Sequence, residues 1–159
     1  MQRQNIPNLV VVSPDLGGLK QAAAYAEKLG AELAIVAKRR KSATEVEAIS
    51  VIGDIDGKNI LMVDDLTETA GTLVNAAKLL RERGAQAIRA CVSHALLNDL
   101  GLERLRKSAI DELITTDTVA RSSQEGVRIT TLSVAGLLGE AMKRIHQNSS
   151  VTSLFELKG

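Results

Sequence analysis

Short apolar runs alternate along the chain with longer segments in which apolar residues recur every three or four positions. Five runs rich in Val, Ile and Leu predict buried strands at residues 9–12, 32–37, 59–63, 87–93 and 112–116. Helical periodicity predicts helices at residues 15–30, 70–84, 101–108 and 134–146. Strands that are apolar throughout are typical of a parallel sheet covered on both faces. The pattern therefore predicts an α/β fold, with helices flanking a mainly parallel five-stranded sheet.

Two segments fit this pattern less clearly. Residues 42–52 indicate a loop followed by a strand, and residues 127–133 indicate a strand or the approach to one. The helix at residues 134–146 has its apolar residues on one side, so we expect it to pack against the core. We expect one domain over residues 1–147 and a polar C-terminal tail over residues 148–159.

Composition narrows the classes of function. The chain has 159 residues, a net charge of +1 and a single cysteine, so an internal disulfide is excluded and a reducing, cytoplasmic location is expected. With so little net charge, no bulk attraction to nucleic acid or to an anionic membrane is expected. One Tyr, one Phe and no Trp also argue against aromatic platforms for single-stranded nucleic acid. No partner of either kind is expected.

The segment "DDLTETAGT" joins the third predicted strand to the second predicted helix. Its residues Thr69, Ala70, Gly71 and Thr72 lie where the free N–H groups of a helix start and the helix dipole favour an anion. Gly71 allows close approach of the backbone, and the two hydroxyls add donors. This arrangement predicts a phosphate cradle.

The adjacent carboxylates Asp64 and Asp65 precede that cradle. Neighbouring like charges gain little from packing, but they can accept hydrogen bonds from a polyol or meet a divalent cation. A phosphate site beside hydroxyl acceptors is typical of a sugar-phosphate site. The alternative remains open that Asp65 and Thr69 only cap a helix and that Asp64 is solvated.

Two more unusual segments follow apolar strands, and in an open parallel sheet ligands bind beyond the carboxyl ends of the strands. The turn "SPDLGG" offers Gly17 and Gly18 for close backbone approach to an anion, unless Asp15 merely caps an ordinary turn. The basic run "KRRK" at residues 38–41 could grip a polyphosphate, or it could be a solvated loop.

The sequence motifs that contain these residues resemble those of a known family. "ILMVDDLTETAGT" resembles the phosphoribosyl pyrophosphate (PRPP) signature of type I phosphoribosyltransferase folds. The wider set "VVSPDLGG", "AIVAKRR", "VIGDIDGKNILMVDD", "TAGTLVNAAKLLRERGA", "SHAL", "ITTDT" and "SVTSLF" is similar to the C-terminal half of ribose-phosphate pyrophosphokinases, the PRPP synthetases. The resemblance implies a three-layer phosphoribosyltransferase-like fold and runs through nearly the whole chain.

The resemblance implies a reaction and a role for each motif. The family transfers pyrophosphate from Mg²⁺-ATP to the 1-hydroxyl of ribose 5-phosphate, giving PRPP and AMP. The ribose 5-phosphate site would comprise Asp64, Asp65, Glu68, Thr69, Ala70, Gly71 and Thr72. The pyrophosphate loop would comprise Asp15, Leu16, Gly17 and Gly18, with Asp15 also a metal ligand. The catalytic residues would be Lys38 and Arg40, on a loop that opens and closes, so residues 42–48 are expected to be mobile without nucleotide.

The chain departs from the family in three respects. Family members are about twice as long, and the missing half supplies a metal-binding histidine and, from a neighbouring subunit of a homo-oligomer, much of the ATP site. Glu68 stands where an Asp is usual, and Gln21 where an Arg is usual. We therefore expect a ribose 5-phosphate- and PRPP-binding domain that is inactive or weakly active alone. A non-catalytic regulatory subunit and a free-standing phosphoribosyltransferase are the alternatives.

Overall fold

The structure is a computed structural model that describes residues 6–39, 48–120 and 126–155. The strands are β1 Leu9–Ser13, β2 Glu32–Arg39, β3 Ala48–Ile52, β4 Asn59–Thr67, β5 Ala87–Ala95, β6 Glu112–Thr116 and β7 Ile129–Leu132. The helices are α1 Leu19–Leu29, α2 Gly71–Glu82, α3 Asp99–Arg106 and α4 Ala135–His146, followed by a 3-10 turn at Thr152–Leu154. The predicted α/β class is confirmed.

The sheet has the order β3-β2-β1-β4-β5-β6-β7, and every neighbouring pair is parallel except β2 and β3. The predicted count of five strands is wrong, because β3 and β7 add a strand at each edge. Both lie in the two segments that the apolar pattern left unclear. Edge strands are half-solvated and need no continuous apolar run, and β7 has no buried residue.

Two layers of helices cover the sheet. On one face, α2 packs Leu73, Ala77 and Leu80 against a core that includes Ile60 and Met62 of β4. On the other face, Ala22 and Ala26 of α1 pack against Val11 and Val63. Neighbouring residues of β4 therefore point into different layers, which is why the run is apolar throughout. The carboxyl end of β1 lies beside the middle of β4, with Val12 opposite Met62, and β4 continues to Thr67.

Helix α4 differs from the expectation that it packs on the core. It has no buried residue, and Leu137, Leu138, Met142 and Ile145 are each more than half exposed. Its 3.6-residue periodicity predicted an apolar stripe correctly, but such a stripe does not specify what lies against it. Within the described residues, no helix or strand covers it. Its start is held by Asp117, whose Oδ1 accepts from the N–H of Val134 at 2.8 Å.

Candidate functional site

Two grooves open at the carboxyl edge of the sheet, where β1 and β4 end. The first groove is lined by Asp15, Gly17, Gly18, Lys20, Gln21, Ala24, Asp64 and Asp65. The second is lined by Asp64, Leu66, Thr67, Glu68, Thr69, Ala70, Gly71, Thr72 and Leu73. Asp64 lines both, so the two grooves adjoin at that residue. The structure thus brings together the turn after β1 and the segment "DDLTETAGT". Strand β4 runs four residues further than predicted, to Thr67, so Asp64 and Asp65 lie within the strand and not after it.

The turn after β1 is held by its own side chains. Asp15 Oδ1 accepts from the N–H of Gly17 at 2.8 Å and from the N–H of Gly18 at 3.2 Å. Ser13, fully buried, donates its hydroxyl to the carbonyl of Asp15 at 2.6 Å. In the structure, these N–H groups donate to Asp15. Asp15 therefore caps the turn, which is the alternative to an anion-binding loop given above. Both of these hydrogen bonds use Oδ1 of Asp15, which also lines the first groove. Leu16 in the same turn is 64% exposed.

The turn before α2 has an unusual backbone. Ala70, the residue that precedes the helix, has φ 54° and ψ 12°, in the left-handed region, although it is buried. That conformation costs a residue with a Cβ about 1–2 kcal/mol. The chain turns sharply at Ala70 into α2, whose first residues, Gly71, Thr72 and Leu73, line the second groove. The N–H of Val74 donates to the carbonyl of Ala70 at 2.9 Å, so the N–H groups of residues 71–73 precede the first hydrogen bond within the helix.

Burial raises the pKa of the Asp64 carboxyl above its ordinary value. The N–H of Asp65, which donates to Asp64 Oδ1 at 3.0 Å, opposes that shift, and the carboxylates of Asp15 and Asp65 add to it. The folded chain therefore binds the Asp64 proton more tightly than the unfolded chain does. Asp64 favours the fold below the ordinary Asp pKa, about 3.9. That contribution is lost as pH rises through the raised folded value.

Replacing Asp64 by Asn is expected to raise the melting temperature at pH 7, because the amide has no charge to desolvate or to repel Asp15. Solvent screening of this half-buried group keeps the rise within about 4 °C, the shift that roughly 1 kcal/mol produces in a domain of this size. The difference should vanish near pH 3. Thermal unfolding at both pH values checks this, with exposed Asp54→Asn as the matched control. A lower melting temperature for the Asp64 variant at pH 7 would contradict the claim that the buried Asp64 charge destabilises the fold at that pH.

The residues around the first groove suit a magnesium ion only as part of a larger ligand set. Mg²⁺ is commonly bound by one or two carboxylates together with substrate phosphates. Asp15 and Asp64 each use one carboxylate oxygen in the turn contacts described above, which leaves each a second oxygen. Across residues 6–39, 48–120 and 126–155, no group of three or more His, Cys, Asp or Glu side chains could hold a metal by itself. The donor set therefore fits Mg²⁺ delivered with phosphate.

The predicted catalytic residues are only partly described. The backbone of Lys38 lies near the carboxyl end of β2, where it pairs with Ile49 of β3, so the strand runs further into the basic segment than the pattern predicted. Arg40 lies outside the described residues. The segment predicted to be mobile, residues 42–48, also lies outside them, except for Ala48, with which β3 begins.

Two residues at the edge, Lys20 and Arg104, and the backbone conformation of Ala70 were not predicted from the sequence. Lys20, the second residue of α1, lines the first groove, and among the described residues that line this groove it is the only basic one. The left-handed backbone of Ala70 had no sequence signal, because alanine is not typical of that region. Arg104 of α3 reaches the turn before α2 from 35 positions away, donating Nη1 to the carbonyl of Thr69 at 3.2 Å. Lys20 could have been predicted, because it lies near the start of a predicted helix that follows a strand. No local pattern indicates Arg104.

None of the helices in the described ranges has the length and apolarity needed to cross a lipid bilayer. The described part of the chain thus adds no membrane span to the fold.

Known proteins are similar to this chain in sequence and in fold. A family model described as "Phosphoribosyl synthetase-associated domain" matches residues 39–156. A ribose-phosphate pyrophosphokinase of Chlorobaculum tepidum is 45% identical over 151 residues, which cover 95% of this chain and 47% of that protein. The crystal structure of phosphoribosylpyrophosphate synthetase from Mycobacterium smegmatis superposes with a TM-score of 0.81 at 33% identity, covering 89% of this chain and 46% of that one.

A more distant neighbour shares the fold alone. Orotate phosphoribosyltransferase from Aeropyrum pernix has a TM-score of 0.55 at 20% identity and covers 89% of this chain. The predicted phosphoribosyltransferase-like fold is confirmed, and so is the resemblance to ribose-phosphate pyrophosphokinases. The chain spans about half the length of the curated relatives it matches. By its match over residues 39–156, the chain belongs to the phosphoribosyl synthetase-associated domain family.

Proposed function

We propose that this chain is the C-terminal, ribose 5-phosphate- and PRPP-binding domain of a ribose-phosphate diphosphokinase. One observation carries the proposal: Asp64 lies in both grooves, one with three carboxylates and one at the start of α2. A sugar phosphate requires such a pair of sites, an anion cradle and hydroxyl acceptors within one molecule's length. Family membership supports the same substrate class.

In this proposal, the second groove takes the 5-phosphate. The free N–H groups at the start of α2 and the hydroxyls of Thr69 and Thr72 donate to its oxygens, and the helix dipole adds attraction. Asp64 and Asp65 accept hydrogen bonds from the ribose hydroxyls, which places the 1-hydroxyl over the first groove. Glu68 lies exposed on the rim of the phosphate turn, one methylene longer than the usual Asp.

The first groove would receive the pyrophosphoryl group in transfer. For the group to bind there, the hydrogen bonds from the Gly17 and Gly18 N–H groups to Asp15 must break. These N–H groups can then donate to phosphate oxygens. Lys38 and Arg40 would stabilise charge on the transferring group, since phosphoryl transfer depends on positioning and electrostatics. Bound Mg²⁺ would supply charge neutralisation between the phosphates, and Asp15 is its proposed protein ligand.

The remaining partners follow from the length of the relatives. ATP and AMP would bind mainly through a second domain and a neighbouring subunit, in a homo-oligomer. A non-catalytic PRPP-binding subunit is the second candidate function. The observation that favours it is Gln21, which lines the first groove where family members usually have Arg, so one cation is missing beside the pyrophosphate loop. Lys20 is present in the same groove and could offset that loss.

Calorimetric titration tests this function. The chain is expected to bind ribose 5-phosphate, and to bind ribose, which lacks the phosphate, at least about 100-fold more weakly, a difference of roughly 2.7 kcal/mol. Equal affinity for ribose and ribose 5-phosphate, or binding of neither, would refute the proposed site.

A further inference from the structure

The turn that would hold the phosphate is tied to the segment that follows β5. The N–H of Leu96 donates to the carbonyl of Thr67 at 2.9 Å, and the N–H of Asn98 donates to the carbonyl of Glu68 at 3.3 Å. Arg104 Nη1 donates to the next carbonyl, that of Thr69, at 3.2 Å. Three consecutive carbonyls are thus held by donors from one short stretch of chain, residues 96–104.

Helix α3 is positioned closely enough to make these contacts. Asn98 caps the helix, with its Oδ1 accepting from the N–H of Gly101 at 2.9 Å. A Cβ at position 101 would lie 2.3 Å from the carbonyl oxygen of Glu68, a distance that no real contact allows. Gly101 therefore lets α3 lie directly against the backbone of the turn. This packing sets where the side chain of Arg104, one turn later, meets Thr69.

The direction of those carbonyls matters for an anion. A carbonyl oxygen carries negative partial charge, so one pointing into the second groove would repel a phosphate, while an N–H group would attract it. The carbonyls of residues 67–69 are engaged by α3 and its approach, and the carbonyl of Ala70 accepts from Val74 within α2. With all four carbonyls engaged, the N–H groups at the start of α2 are left to face the groove.

Arg104 differs from the two backbone donors in being replaceable and charged. A Cβ at position 71 would lie 3.2 Å from Arg104 Nη1, so the guanidinium borders the glycine at the start of α2. Yet Arg104 is not among the residues that line the second groove. It therefore contacts the turn from behind, and the left-handed Ala70, which stores strain, lies next to the carbonyl that Arg104 holds.

We propose that Arg104 is a positioning residue of the phosphate site: through its hydrogen bond to the Thr69 carbonyl it holds the turn in the anion-binding conformation, and its charge adds attraction from behind. The phosphate role rests on the proposed function, while the effect on the turn does not. Helix α3 touches no ligand in this arrangement. Through Arg104, it nevertheless affects the affinity of the site for the sugar phosphate.

The test uses Arg104→Ala, Arg104→Lys and the control Lys107→Ala. Lys107 lies just after α3 and pairs with Glu103, so the control removes the same charge from an exposed site nearby. We expect Arg104→Ala to weaken binding of ribose 5-phosphate and of inorganic phosphate about tenfold, roughly 1.4 kcal/mol, without a matching fall in melting temperature. Lys should restore part of the affinity, because an ammonium can donate one hydrogen bond to the same carbonyl. Lys107→Ala should stay within about twofold of the unchanged chain.

The ligand-free protein provides an independent readout. Arg104→Ala should move the amide resonances of Thr69 and Ala70, and Lys107→Ala should not. Unaltered resonances at the turn, or unaltered affinity for both anions in Arg104→Ala, would overturn the proposal. If the unchanged chain binds neither anion, the proposed function fails, and the resonances of the turn still decide whether Arg104 holds it.

Discussion

Replacing Gly71 by Val is expected to weaken binding of ribose 5-phosphate at least about 100-fold, a loss of roughly 2.7 kcal/mol. A Cβ at this position would lie 3.2 Å from Arg104 Nη1 and 3.7 Å from Thr69 Oγ1, and Val adds two more methyl groups. The side chain must either displace the guanidinium from the Thr69 carbonyl or project toward the groove proposed to bind the phosphate. Both outcomes damage the same site. Calorimetry on the purified variant measures the effect.

Gly139→Val in α4 is the matched control. It makes the same substitution in a helix, but a Cβ at position 139 meets nothing within 4 Å. The control should therefore bind ribose 5-phosphate like the unchanged chain. Gly71→Ala should fall between the two, because the flexible end of Arg104 can move by a few tenths of an ångström. Binding by Gly71→Val within threefold of the unchanged chain would show that the phosphate does not use this turn.

The second large effect concerns catalysis by the chain alone. Supplied with ATP, Mg²⁺ and ribose 5-phosphate, the purified chain is expected to form AMP far below the roughly 1–1000 turnovers per second usual for enzymes. Transfer requires the donor to be held in line with the acceptor, and this chain spans about half of its curated relatives. Its only two aromatic residues, Tyr25 on α1 and the 80% exposed Phe155, are absent from the lining of both grooves, so neither clamps an adenine there.

The assay measures AMP and PRPP formed over time, with a full-length ribose-phosphate pyrophosphokinase as the positive control. Turnover within the usual range would show that the chain, or an oligomer of it, completes the ATP site without a further domain. The proposal requires slow turnover together with tight binding of ribose 5-phosphate, because this chain would bind the sugar phosphate and a second domain would bind most of the ATP.

The fold could be predicted where the sequence carries a local period. β1 is a continuous apolar run because both of its faces are buried, and α2 shows its helical stripe and basic last turn. In β5 and β6, buried residues alternate with partly exposed ones, and enough of them are apolar to indicate a strand. The edge strands β3 and β7 left a weaker signal, since one side of each meets solvent. The exposed stripe of α4 shows the limit of periodicity, which indicates an apolar face and not its partner.

The site could be predicted only in part for a related reason. Free N–H groups after a buried strand, adjacent carboxylates and a glycine are properties of neighbouring residues, so "DDLTETAGT" indicated the groove directly. The contact of Arg104 with Thr69 joins residues 35 positions apart, and only the packing of α3 brings them together. The hydrogen bonds from the Gly17 and Gly18 N–H groups to Asp15 could not be predicted either, because the same residues suit both an anion-binding loop and a turn capped by Asp15.

The most direct test of the sugar-phosphate site is a titration of the isotope-labelled chain with ribose 5-phosphate, followed through its amide resonances. The largest and earliest shifts are expected at residues 69–72, with smaller shifts at Asp64 and Asp65. A parallel titration with ribose should leave residues 69–72 nearly unchanged at the same concentrations. If the largest shifts instead fall in α4, or if residues 69–72 do not respond while the ligand binds, the phosphate site has been assigned to the wrong part of the molecule.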